Sequence, residues 1–122
     1  MKTALVLLSG GMDSAAALWW ARERYRVLTL SFRVPGRPAG ERRAARALSK
    51  KAGAVVHHEV ALPFLTNHVA GKPEGYLPQR NLVYYAVAGS LAEQAGASVI
   101  VGGHLRTDGK EFPDARPEYF RR

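Results

Sequence analysis

The chain has 122 residues, 47% hydrophobic and 23% charged, with a formal net charge of +8. This length suits one domain around one core, and the composition excludes the disordered and fibrous classes. The lack of cysteine excludes disulfides, thiolate nucleophiles and cysteine-based zinc sites, and no apolar run approaches the roughly 20 residues of a membrane span, so a cytoplasmic location is expected.

Thr3 to Leu8 is a short, continuous apolar run closed by glycines, the pattern of a strand buried on both faces. Ser14 to Arg24 should follow as a helix rich in alanine, with Asp13 and Ser14 where an N-cap is wanted. Trp19 and Trp20 on this helix suit packing and subunit contact. Arg26 to Phe32 reads as a second strand, closed by Pro35-Gly36-Arg37-Pro38. From about Gly40 to Lys51, Ala44, Ala45, Leu48 and Ala52 recur at helical spacing, with basic residues opposite and Gly53 as the stop.

Ala54 to Val60 predicts a third strand, and the stretch from Ala61 to Pro78, with its prolines and glycines, a long loop. Asn81 to Ala95 carries a helical pattern, with Leu82, Ala86 and Gly89 beside Val83, Val87 and Leu91. Ser98 to Val101 is a last short strand, ended by Gly102-Gly103. His57 and His58 are adjacent on a strand and so point to opposite faces, which prevents them from sharing a metal ion. His104, after the last strand, is placed for proton transfer at the functional edge.

The charge is uneven. Residues 22 to 51 hold ten Arg or Lys against Glu23 and Glu41, and the remainder of the chain nets zero. Such a segment suits a polyanion such as tRNA, the triphosphate of a nucleotide, or simply a solvated helix face.

Strands alternating with helices, with no inside-outside period in the strands, predict an α/β fold: an open parallel sheet flanked by helices on both faces. Ligands of such sheets bind at the carboxyl ends of the strands, where strand order reverses. Ser9 to Ser14, Pro35 to Pro38, Pro78 to Asn81 and Gly102 to Asp108 would gather there.

Ser9-Gly10-Gly11-Met12-Asp13-Ser14 stands between the first strand and the first helix, where free backbone N–H groups and the helix dipole favour an anion. Two glycines let the backbone curl around phosphate oxygens, and the Ser9 and Ser14 hydroxyls can donate further hydrogen bonds. The segment has neither the Gly-Lys-Ser/Thr ending of a Walker A loop nor the Gly-x-Gly-x-x-Gly of a dinucleotide fold. Asp13 either orients the loop or holds a Mg²⁺ ion accompanying the pyrophosphate.

The hexapeptide resembles the loop of the PP-loop ATP pyrophosphatases, which cleave ATP between its α and β phosphates. Leu77-Pro78-Gln79-Arg80-Asn81 resembles the segment introducing the third helix of the 7-cyano-7-deazaguanine (preQ0) synthase branch, with Gln79 in place of a glycine. Gly102-Gly103-His104, Asp108 and Phe112-Pro113-Asp114-Ala115-Arg116-Pro117-Glu118 are similar to that branch's later motifs, with Ala115 where it has a cysteine.

The resemblance covers essentially the whole chain and implies an adenine nucleotide alpha hydrolase-like (Rossmann-like) fold. It implies one PP-loop domain over residues 1–122, without the family's C-terminal four-cysteine zinc region. It further implies that ATP and Mg²⁺ activate the carboxylate of 7-carboxy-7-deazaguanine as an acyl adenylate, which ammonia carries to the nitrile of queuosine biosynthesis.

On this reading Ser9, Gly10, Gly11, Asp13, Ser14, Arg80 and Gly103 bind the nucleotide, and Asp13 the metal. Asn81, Asp108, Asp114, Arg116 and Glu118 face the deazapurine, with Asp13, Arg80, Asp108 and Asp114 as the catalytic set. The alternative implied by the absent zinc region is a non-catalytic nucleotide-binding or accessory subunit. A homodimer is expected in either case, to bury the surface that region would cover.

Overall fold

A computed structural model describes residues 1–9, 12–36, 39–65 and 80–102, with backbone only for Met12, Asp13, Arg80 and Asn81. Four strands, β1 (Thr3–Leu7), β2 (Arg26–Arg33), β3 (Val56–Ala61) and β4 (Val99–Val101), form one sheet in the order β3-β2-β1-β4. Every pairing is parallel, with Leu5 opposite Leu28 and Ile100, and Leu30 opposite His58. The helices are α1 (Met12–Arg22), α2 (Ala39–Lys51) and α3 (Arg80–Ala95).

Alternation along the strands divides the core. Val6, Leu8 and Val27 meet Leu18 and Ala21 of α1 and Ala45 of α2 on one face, while Leu5, Leu28 and Leu30 meet Ala88 and Ala92 of α3 on the other. Leu5, Leu18 and Leu30 are fully buried. A third cluster of Val34, Leu62 and Leu65 closes the carboxyl end of the α3 face, where Phe32 stacks on Tyr84 at 4.2 Å between ring centroids.

The helix boundaries differ from the sequence pattern in instructive ways. α1 begins at Met12, so Asp13 and Ser14 lie inside its first turn rather than at the cap. In α3, Leu82 and Ala86 are exposed and Ala88 and Ala92 are buried; the helix is apolar nearly all round, so tertiary packing chooses the buried stripe. Both α2 and α3 end on glycines with φ of 76° and 78°, Gly53 and Gly96. The N–H of Ala54 reaches Ser49 O at 3.1 Å and that of Ala97 reaches Ala92 O at 2.8 Å, so each helix closes with the left-handed turn for which glycine carries no Cβ penalty.

Beneath α2 the sheet is polar. Thr29 is fully buried, and its hydroxyl lies 2.6 Å from Ser49 Oγ and 2.7 Å from His57 Nδ1. His57 Nε2 is buried without a hydrogen bond, 3.6 Å from the Glu59 carboxylate, which Arg46 holds from α2. Ser49, Thr29 and His57 thus form one hydrogen-bonded chain, whose direction is set by the imidazole tautomer. His57 and Glu59 share this face, whereas His58 pairs with Leu30 of the α3 face, as alternation demands.

Burial holds the His57 pKa below its ordinary 6.5; Glu59 pulls it upward, and Arg46 and His58 add to the depression. The Arg46 hydrogen bond holds Glu59 below its ordinary 4.5. Between the folded and unfolded pKa values of His57 the unfolded chain binds more protons, so stability rises with pH there. The urea midpoint should therefore be highest above pH 6.5, fall on acidification through that window, and fall again below 4.5 as Glu59 protonates. His57→Gln should flatten the first step and leave the second, as read from equilibrium unfolding at half-unit pH intervals.

Candidate phosphate site at the switch point

β1 is paired on both sides, to β2 and to β4. The chain leaves it towards β2 on the α1 face and returns to β4 only after α3, on the opposite face. Strand order therefore reverses beside β1, and the crevice of such a reversal opens at the carboxyl ends of β1 and β4. Ser9 follows the first of these strands and Gly102 the second.

The approach to the loop is fixed by hydrogen bonds. Leu8 N–H donates to Leu30 O at 2.8 Å, and Ser31 Oγ donates to Leu8 O at 3.0 Å, so the backbone of β1 is held to β2 one residue past its regular pairing. Ser9 N–H then donates to Ser14 Oγ at 3.2 Å, and the two hydroxyls lie 3.2 Å apart. Ser14 is buried, 7% exposed, while Ser9 is open to solvent. The side chain thus reaches backwards from the first turn of α1 to Ser9, beside the N-terminus of the helix.

Of the residues expected at this site, Ser9 and Ser14 are brought together. Asp13 is on the first turn of α1, and Arg80 and Asn81 open α3, whose N-terminus reaches the same sheet edge from the other face. Two helix N-termini, each equivalent to about half a positive charge, thus flank the reversal. Gly10, Gly11, Gly103, His104, Asp108, Asp114, Arg116 and Glu118 lie outside the described residues. Among the described residues no group of three His, Asp or Glu side chains converges as a metal site. No described helix is long and apolar enough to cross a membrane.

One residue was not anticipated. Arg42, Ala45, Ser49 and Ala52 fall on a single stripe of α2, and the last three are buried against the sheet. Arg42 therefore enters the α1 face near the N-terminus of α2, at the carboxyl edge of the sheet, and its Nε is buried without a hydrogen-bond partner. A buried guanidinium nitrogen left unpaired costs free energy, about 1–3 kcal/mol or more for a charged group. An arginine in register with an apolar stripe was the signal available in the sequence.

The family described as "Queuosine biosynthesis protein QueC" matches residues 3–72 and 66–122. The chain belongs to that family. It is 38% identical to the 7-cyano-7-deazaguanine synthase of Acinetobacter baylyi, matching 95% of this chain and 57% of the relative. It is also 38% identical to that of Nitrobacter winogradskyi, over 98% of this chain and 60% of the relative. It spans about three-fifths of the length of the curated relatives it matches. Among solved structures, protein Rv1636 of Mycobacterium tuberculosis shares the fold, with a TM-score of 0.51 at 17% identity over 85% of this chain and 71% of that one. The α/β architecture, an open parallel sheet with helices on both faces, is thus the one the sequence pattern implies.

Replacing Arg42 with methionine should leave the thermal midpoint unchanged or raised, because an unpaired polar atom is exchanged for an apolar one of similar length. The same change should weaken ATP binding about tenfold, the scale of one charge-assisted hydrogen bond. Calorimetric titration alongside thermal unfolding separates the two effects.

Proposed function

We propose that this chain binds ATP at the Ser9–Ser14 segment and uses it to adenylate a deazapurine carboxylate, the activating half of 7-cyano-7-deazaguanine synthesis. The observation that carries this reading is the hydrogen bond from Ser9 N–H to Ser14 Oγ at the reversal of strand order. The name of the relatives, 7-cyano-7-deazaguanine synthase, supports a deazapurine product, and the resemblance of the later motifs assigns 7-carboxy-7-deazaguanine as the acid and ammonia as the nitrogen donor.

A carboxylate is a poor acyl donor until one of its oxygens becomes part of a good leaving group. Its oxygen attacks the α phosphorus, the bond from that phosphorus to the bridging oxygen breaks, and pyrophosphate departs with the electron pair. Catalysis requires the β and γ phosphates to be held in line while charge grows on them. The Ser9 and Ser14 hydroxyls, 3.2 Å apart, can both donate to one phosphate group at the N-terminus of α1. The Arg42 guanidinium adds a cation from α2, and Arg80 at the start of α3 suits the α phosphate or the substrate carboxylate. Asp13, on the first turn of α1, has the hard oxygen donors that Mg²⁺ prefers; the ion would neutralise pyrophosphate charge. Asn81, Asp108, Asp114, Arg116 and Glu118 are assigned to the deazapurine on family resemblance.

Incubation with ATP, Mg²⁺, 7-carboxy-7-deazaguanine and ammonia should release AMP and pyrophosphate in equal amounts, dependent on the acid. Ser14→Ala should lower kcat/KM by about 10²-fold, the scale for loss of one donor to developing charge. Release of ADP would overturn the reading. Tight ATP binding without AMP formation would instead favour a nucleotide-binding accessory unit.

A further inference from the structure

In a sheet built this way all three helices run against the strands, so their C-termini and the starts of the strands share the edge opposite the phosphate site. Arg22, Lys50 and Lys51 end α1 and α2 there, Arg24 lies in the turn after α1, and Arg26 opens β2 with its N–H on Lys2 O. The carboxylates on this edge are Glu23 and Glu93. Among the described residues none of the six cations is paired with a carboxylate; Arg46–Glu59 is elsewhere, over β3.

Two of these cations are already organised. The Arg24 guanidinium lies over the Trp20 ring at 4.4 Å and donates from Nη1 to Trp20 O at 2.8 Å, and Arg22 lies over Trp19 at 5.5 Å. Trp20 remains 47% exposed, with Tyr25 tilted against it at 6.1 Å. A guanidinium lying over an indole keeps its in-plane N–H groups free for phosphate oxygens, and little side-chain entropy remains to be lost.

ATP at the opposite edge is out of reach of this group. β2 alone spans eight residues, about 26 Å at the usual rise. Half of the charge excess noted between residues 22 and 51 therefore faces away from the phosphate site. We propose that this edge is a docking surface for a single-stranded nucleic acid. The cations track its phosphates, and the exposed indole of Trp20 offers a stacking face to an unpaired base. A duplex presents no unstacked base to such a face. An anionic bilayer would favour bare apolar wedges over an indole that carries a guanidinium on one of its faces.

The test is fluorescence anisotropy with a labelled, unstructured RNA of fifteen nucleotides, against the same sequence as a duplex and against vesicles of phosphatidylserine and phosphatidylcholine. The expected result is preferential binding of the single strand, weakening steeply as salt rises, with quenching of tryptophan emission. Trp20→Ala and Arg24→Gln should each weaken it roughly tenfold, the scale of one lost base-stacking contact. Lys51→Glu should do so strongly. Arg43→Glu, an equal change of charge in the first half of α2, should leave it within about twofold of the parent if localisation rather than net charge governs the slope. Circular dichroism checks that each variant is folded. Absence of binding at low salt, a preference for duplex or vesicles, or equal losses from Arg43→Glu and Lys51→Glu would each overturn the proposal.

Discussion

A strand at the centre of a parallel sheet has both of its edges hydrogen-bonded, so the chain leaving its carboxyl end must turn out of the plane. β1 occupies that place, with β2 on one side and β4 on the other. Its neighbours are reached over opposite faces, by α1 in one direction and, much later, by α3 in the other. The opening above β1 follows from this connectivity alone, before any side chain is considered. What the sequence adds is a fixed path into it. Leu8 has its N–H on Leu30 O and its carbonyl on Ser31 Oγ, and Ser9 N–H is taken by Ser14 Oγ. The chain thus reaches Ser9 with three consecutive backbone groups already committed.

The buried strands were legible because a continuous apolar run of five or so residues, closed by glycine, has few other uses. Their pairing partners were not legible in the runs themselves, which carry no period from which to read a register. α2 was legible for the opposite reason: its basic and apolar residues separate cleanly. α3 shows what happens when they do not, for its apolar residues surround the helix and only packing against Leu5, Leu28 and Leu30 selects Ala88 and Ala92. Gly53 was readable as a helix stop and Gly96 carried the same signal, with the same positive φ and the same closing hydrogen bond. The phosphate loop was legible as a motif, yet the backward reach of Ser14 was not, since a serine before an apolar helix reads first as a cap.

The layer under α2 is an unusual partner for a two-sided sheet. β2 turns Leu28, Leu30 and Phe32 to α3 and presents Thr29 and Ser31 on the other face. α2 meets that face with Ala45, Ser49 and Ala52, residues small enough to let the helix approach closely but too small to bury much apolar area. The hydrogen bonds through Thr29 contribute about 1 kcal/mol each net, and their greater effect is directional. Sliding α2 by a residue would cost Thr29 its bond to Ser49 and Glu59 its bond to Arg46, while Thr29 and His57, both on the sheet, keep each other. Position along the sheet is therefore specified by polar groups and held by rather little hydrophobic area. This matters for the phosphate site, because Arg42 rides on the same stripe and inherits its placement from Ser49.

The basic edge invites a simpler account, that cations gather at helix C-termini to offset the macrodipole. That account covers Arg22, Lys50 and Lys51, which stand in last turns. It does not cover Lys2, Arg24 and Arg26, which lie outside the helices, nor Trp20, which remains half-exposed beside a fixed guanidinium although α1 has a buried face available at Leu18 and Ala21. An exposed indole has a hydrophobic cost that dipole compensation does not repay. Nor does the reversal of strand order account for it, since that crevice opens at the far edge. The two edges thus answer to different constraints. One is shaped by the reversal of strand order, and the other, among the described residues, concentrates cations without a carboxylate partner and aromatic surface where the fold itself requires neither.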